Sequence, residues 1–105
     1  MRIILEGETT LTGGTDRLIP DALLTAAGIS LTGVNATGCL VRAAKAAGGN
    51  TAVAKVGAGR YQAGKGPQHI VAADDVRGFI VPHNAAQELV AVGTLNDIVG
   101  WALYG

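Results

Sequence analysis

The stretch GRYQAGKGP, residues 59–67, carries the residue types that hold phosphate. Gly59, Gly64 and Lys65 fit G-x-x-x-x-G-K, in which backbone amides wrap the phosphates and the lysine reaches the outer ones. The chemistry fails at the next two positions. A phosphate loop continues with Ser or Thr, whose hydroxyl binds magnesium, and runs straight into a helix whose N-terminal amides face the ligand. Here Gly66 and Pro67 follow, and the residues beyond, QHIVAADD, are β-branched and apolar. Asp74 and Asp75, which would complete a nucleotide site, lie too close for a crossover helix of about a dozen residues to intervene. The chain is not expected to bind nucleotides.

Other reactive residues form no set. Cys39 is the only cysteine, so no intrachain disulfide forms, and its neighbours Gly38, Leu40 and Val41 suit a small buried apolar group better than a nucleophile. Ser30 is the only serine, and no Ser, His and Asp arrangement is visible. His69 and His83 would meet only if the two apolar runs between them formed a hairpin, and neither shows the closely spaced pairing of zinc ligands. Asp74 and Asp75 are adjacent, so on an extended chain they point to opposite faces, and a turn role suits them better than acid–base work. No enzyme, no metal and no cofactor is expected.

Charge is the more informative signal. The formal net charge is zero, yet residues 42–65 hold Arg42, Lys45, Lys55, Arg60 and Lys65 with no acid, whereas residues 66–105 hold Asp74, Asp75, Glu88 and Asp97 against Arg77. The first thirty residues add Glu6, Glu8, Asp16 and Asp21 against Arg2 and Arg17. Three arrangements use this segregation. Strands of one domain neutralise one another; a basic loop of one copy meets an acidic surface of the next; or the glycine-rich loop 57–66, with Arg60, Tyr61 and Lys65, lies along nucleic-acid phosphates with one stacked base. A pI near 6.7 and a single aromatic in that loop speak against the third.

The elements that position these residues are short. Residues 2–8 read as a strand and GGTD, 13–16, as a turn. PDALLTAAG, 20–28, reads as a two-turn helix with Pro20 at its start, Asp21 at its positive end and Gly28 as its stop. ISLTGV, 29–34, alternates like a strand. Residues 36–49 carry alanines that suit a helix, but CLVRAA and TAVAKV around AGGN read better as a hairpin. Runs starting near 29, 39, 51, 68, 76, 88 and 97 keep the cadence of a small sandwich or barrel. The expectation is one domain, 1–105, mainly β: an antiparallel sandwich or barrel of about seven short strands with one or two short helices, α+β being the alternative. Residues 22–41 lack charge, but Thr25, Ser30, Thr32, Asn35 and Thr37 interrupt them, so no membrane span is expected.

Hydrophobic residues make up 49% of the chain but aromatics only 4%, and there are 16 glycines. Small side chains remove little apolar area from water and glycine costs backbone entropy, so a solitary copy is marginal. Charged residues are 15%, against about 25% in ordinary domains, which leaves surface suited to contact. In DIVGWALYG, Ile98, Gly100, Ala102 and Tyr104 share one strand face and Val99, Trp101 and Leu103 the other. Both faces are apolar, so this strand is central in a sheet or part of an assembly contact, with Trp101 and Tyr104 as its anchors. In composition the chain resembles small virion proteins that decorate or cement phage capsids. That resemblance implies a non-enzymatic structural protein whose partners are its own copies and a larger lattice, located in the virion. The alternative is a cytoplasmic module binding a small ligand or nucleic acid through loop 57–66.

Overall fold

A computed structural model describes residues 2–29, 38–45, 49–58, 69–81 and 89–105. Eight strands and one helix follow in the order β1 (Ile3–Thr10), β2 (Thr15–Arg17), α1 (Asp21–Ala26), β3 (Gly38–Ala43), β4 (Ala54–Ala58), β5 (His69–Val71), β6 (Phe79–Val81), β7 (Leu89–Val92) and β8 (Ile98–Tyr104). They form two four-stranded sheets, ordered β1-β8-β3-β6 and β2-β7-β4-β5, and every pairing is antiparallel. The fold is the mainly β sandwich that the strand cadence predicts.

Alternation along each strand sends one set of side chains inward. Cys39, Val41 and Ala43 of β3, Val99, Trp101 and Leu103 of β8, and Val81 of β6 meet Ala54, Val56, Val71, Leu89 and Ala91 of the second sheet in one core cluster. The last strand is flanked on both sides, by β1 and by β3, which explains why both its faces are apolar. Trp101 is only 3% exposed. Its ring lies against Gly7, its register partner, where a Cβ would come within 2.7 Å of the indole. The indole N–H donates to the Thr9 hydroxyl at 3.2 Å, and that hydroxyl donates to the Leu18 carbonyl at 2.7 Å. One buried aromatic on the central strand β8 thus ties the edge strand β1, through Thr9, to Leu18 ahead of α1.

Local chemistry sets the turns. Pro20 precedes α1, and the helix ends where Gly28 (φ 75°) donates to the Thr25 carbonyl and Ile29 to that of Leu24, the paired bonds of a glycine-terminated helix. Asp16 accepts from the Thr12 amide at 3.0 Å and the Thr12 hydroxyl at 2.7 Å, holding the turn around Gly13. Asp75 accepts from the Gly78 amide at 2.8 Å, so the Asp74–Asp75 pair does sit in a turn.

Two pairings differ from the sequence reading. Residues 38–43 are a strand, but β3 and β4 lie in different sheets, so CLVRAA and TAVAKV do not form a hairpin. Nor do the runs between the histidines: β5 pairs with β4 and β6 with β3. The reason is shared. The segments 44–53 and 72–78 are too long and too tightly tied elsewhere for two-residue hairpins; the Asn50 amide binds the Ala73 carbonyl at 3.3 Å and the Ala43 amide binds the Asp75 carbonyl at 2.8 Å, so both connections cross from one sheet to the other. The strand expected over 29–34 falls mostly outside the described residues.

Candidate functional site

The outward side chains of the first sheet fall into three rows fixed by its register. Ile3, Tyr104 and Gly38 form the first row, Glu6, Ala102, Leu40 and Ile80 the second, and Glu8, Gly100 and Arg42 the third. Neighbouring strands are about 4.8 Å apart, so each row is a contiguous strip across the sheet. Because the central strand contributes only Gly100 and Ala102 to the lower rows, the face sinks along β8. The result is a groove of about 330 Å³, floored by Gly100 and Ala102 and walled by Glu6 and Glu8 on one side and by Leu40 and Arg42 on the other.

Ile3 and Ile80, on the two edge strands of this face, are 49% and 50% exposed. Arg42 crosses the floor: a Cβ on Gly100 would lie 3.0 Å from its guanidinium carbon. From there it reaches Glu8 at 3.6 Å. Both side chains are substantially open to solvent, so this pair contributes little to stability by itself. Its value is positional, since it holds one cation above the groove and one anion along its rim.

A second polar cluster closes one end of the sandwich. Asp97 is fully buried after the turn that leads into β8. Its carboxylate accepts from the Thr51 amide at 2.8 and 2.9 Å and from the Ala52 amide at 3.2 Å, and the Lys45 ammonium stands 3.8 Å away. Asn50 beside it exchanges two bonds with the backbone of Ile98, at 2.9 and 3.0 Å. Burial alone would raise the Asp97 pKa; the Thr51 and Ala52 amides, the Thr51 hydroxyl and Lys45 outweigh it and hold the carboxyl below its usual range. Every contact of this cluster is internal, which makes it a structural clamp.

These geometries place the residues that the sequence singled out. Tyr104 lies on the groove face and Trp101 beneath it in the core, with Trp101 reaching the groove only at its base. Arg60, Tyr61 and Lys65 lie outside the described residues, as does His83. Gly64 also lies outside the described residues; the next described element, the strand His69–Val71, pairs back onto β4. His69 lies 6.1 Å from the Phe79 ring, and among the described residues no group of three potential metal ligands comes together. Two cations of the basic segment, Arg42 and Lys45, meet acids of the flanking segments, Glu8 and Asp97, within the same chain. Comparison with protein-family models, curated proteins and solved structures finds no match. Among the described residues no helix is long and apolar enough to cross a membrane.

Cys39 faces the interior with no exposed surface. Burial pushes its thiol up to about 12, against a smaller opposing effect of the backbone at Ala102. At pH 8 the nucleophilic thiolate is therefore scarce and out of reach. An aromatic disulfide reagent is expected to leave the native chain unmodified and to react stoichiometrically once denaturant is added. Rapid reaction without denaturant would place Cys39 at a surface instead.

Proposed function

We propose that this chain is a structural protein that assembles with copies of itself, with the groove face of the first sheet as its contact surface. The observation that carries this reading is the row arrangement of Ile3, Tyr104, Ala102, Leu40 and Ile80. These residues, from two adjacent rows, bring apolar groups from all four strands onto one face, and a half-exposed isoleucine stands on each edge strand. Covering such a face removes apolar area from water at about 25 cal/mol per Å², a gain that a small core built mostly of Val, Leu and Ala has reason to use. Of the charges on this face, Arg42 is matched by Glu8 within the chain, and Glu6 stands at the β1 end of the second row. A larger lattice such as a phage capsid, which the chain would decorate from a place in the virion, is the setting in which such a subunit acts.

Sedimentation across a concentration series tests the reading. The expected result is a defined multimer that dissociates on dilution. Ile80→Lys places a charge on this face at a side chain already half in solvent, so folding persists, and the dissociation constant is expected to rise about tenfold or more, the equivalent of about 1.4 kcal/mol. A chain that stays monomeric up to about 1 mM, where contacts worth only about 4 kcal/mol register, ends the proposal.

A further inference from the structure

The first sheet ends in one long strand with an open side. β1 stands at the end of the order β1-β8-β3-β6, and its 8 residues contrast with 3 in each of the other edge strands, β2, β5 and β6, which are too short to template a further strand. We infer that the open edge of β1 takes up an extended strand of another protein, one that carries Lys or Arg at two alternate positions and pairs with the backbone of Glu6, Glu8 and Thr10. This edge is distinct from the sheet face proposed for self-assembly.

Backbone direction fixes which groups are on offer. Successive residues of a strand send their N–H and C=O to opposite sides, so alternate residues bond to one neighbour and the rest to the other. The Leu11 amide donates to the Asp97 carbonyl at 2.7 Å, which turns Leu11, and with it Thr9 and Gly7, toward β8. Glu6, Glu8 and Thr10 therefore direct their N–H and C=O away from β8. Among the described residues, none of the three makes a backbone hydrogen bond outside the strand ladders. All three are exposed, whereas Gly7 and Thr9 between them are half-buried. The edge thus offers a donor and an acceptor at each of these residues, repeating about every 6.8 Å, the two-residue step of a partner strand.

Charge selects the occupant. Glu6 has no ion-pair partner among the described residues, and Arg42, which lies over Gly100, approaches Glu8 from the β8 side and leaves 53% of the Glu8 side chain exposed. A second copy does not fit. Antiparallel pairing of β1 with its own copy about a two-fold axis through Glu6, Gly7 or Glu8 sets Glu6 opposite Glu6, Glu6 opposite Glu8, or Glu8 opposite Glu8, and like charges directly opposed are destabilising. No other segment of the chain supplies the match, since its closest cations, Arg42 and Lys45, are three positions apart and two alternate ones are needed on one strand face. A strand from a different protein, with Lys or Arg opposite Glu6 and Glu8, meets both acids. Its intervening residues lie beside Leu5, Gly7 and Thr9 on the core side, where apolar side chains extend the sandwich.

The peptide acetyl-Thr-Val-Lys-Val-Lys-Val-Thr-amide is a direct probe, with amide hydrogen exchange as the readout. Exchange at Glu6, Glu8 and Thr10 is expected to slow several-fold as peptide is added, while Gly7 and Thr9, already bonded to β8, stay unchanged. Methylating the backbone nitrogens of the two lysines should abolish the effect, because those N–H groups face β1; methylating those of the valines, which face away, should not. Glu6→Lys combined with Glu8→Lys should weaken the lysine peptide about tenfold or more and admit a peptide with glutamates in place of the lysines. Should thermal denaturation show the double variant unfolded, Glu6→Lys alone, which keeps the Glu8–Arg42 pair, takes its place with a several-fold weakening. Binding that survives methylation of the lysine nitrogens is charge adhesion without strand pairing, and overturns the inference. So does unchanged exchange at peptide concentrations up to about 1 mM. Sedimentation of the chain by itself reads self-assembly separately, so either proposal can fall while the other stands.

Discussion

Gly78→Ala is expected to leave the chain largely unfolded, whereas Gly28→Ala at the same backbone angle should fold with a modest loss. Both glycines have φ of +75°, in the left-handed region where a Cβ costs about 1 to 2 kcal/mol. At Gly28 a Cβ meets nothing within 4 Å, so that cost is the whole effect. At Gly78 it would sit 2.1 Å from the Val41 carbonyl oxygen and 2.8 Å from the Arg42 Cβ. Those atoms belong to a central strand paired on both sides and cannot retreat without opening the β3–β6 ladder that begins one residue later, at Phe79. The expected cost exceeds about 4 kcal/mol, comparable with the whole stability of a small domain. Urea denaturation of the two variants side by side measures the difference; equal midpoints would show that contact with β3 is unimportant.

Asp97→Ala should be the most damaging substitution of a polar residue. It removes the acceptor for the Thr51 and Ala52 amides and leaves Lys45 facing buried, unsatisfied groups. Breaking a buried, hydrogen-bonded charge pair on one side costs about 3 to 5 kcal/mol, and partial exposure of Lys45 places the expectation near 3. Asp97→Asn keeps one acceptor oxygen and should lose roughly half as much. The pH dependence carries the same signature. Because the folded carboxyl titrates below its ordinary value of 3.8, the stabilisation is complete above that value and is lost as pH falls through the lower, folded pKa. The parent chain should therefore lose stability on acidification below about pH 4. The Asp97→Asn curve should be flatter there. Parallel curves for the two chains would show that Asp97 does not govern acid sensitivity.

The sandwich's individual parts were legible because they are local. Pro20, Asp21 and Gly28 delimit α1 by the shape and charge they impose on one turn of backbone, and β-branched runs mark β3 and the later strands by steric preference. The two-faced pattern of the last strand also carried its meaning, since a strand apolar on both sides needs neighbours on both sides. The groove was not legible. Its walls come from residues 6, 8, 40 and 42 and its floor from 100 and 102, and no local pattern marks these as neighbours. The charge segregation was visible, but not that Arg42 meets Glu8 and Lys45 meets Asp97.

The amino-acid order by itself pointed to most of the segments that extend, to the helix α1 and to the turn at Asp74–Asp75, though not to the strand β2 (Thr15–Arg17), which begins within the stretch 13–16 that reads as a turn. Each of those outcomes follows from the sterics and hydrogen bonding of a few consecutive residues. Tertiary structure alone decided that β3 and β4 separate into different sheets, that Trp101 points inward against Gly7, and that Asp97 becomes a buried clamp rather than a surface charge. These depend on pairings between strands far apart in sequence, whose free energy comes from one shared core and belongs to no single segment.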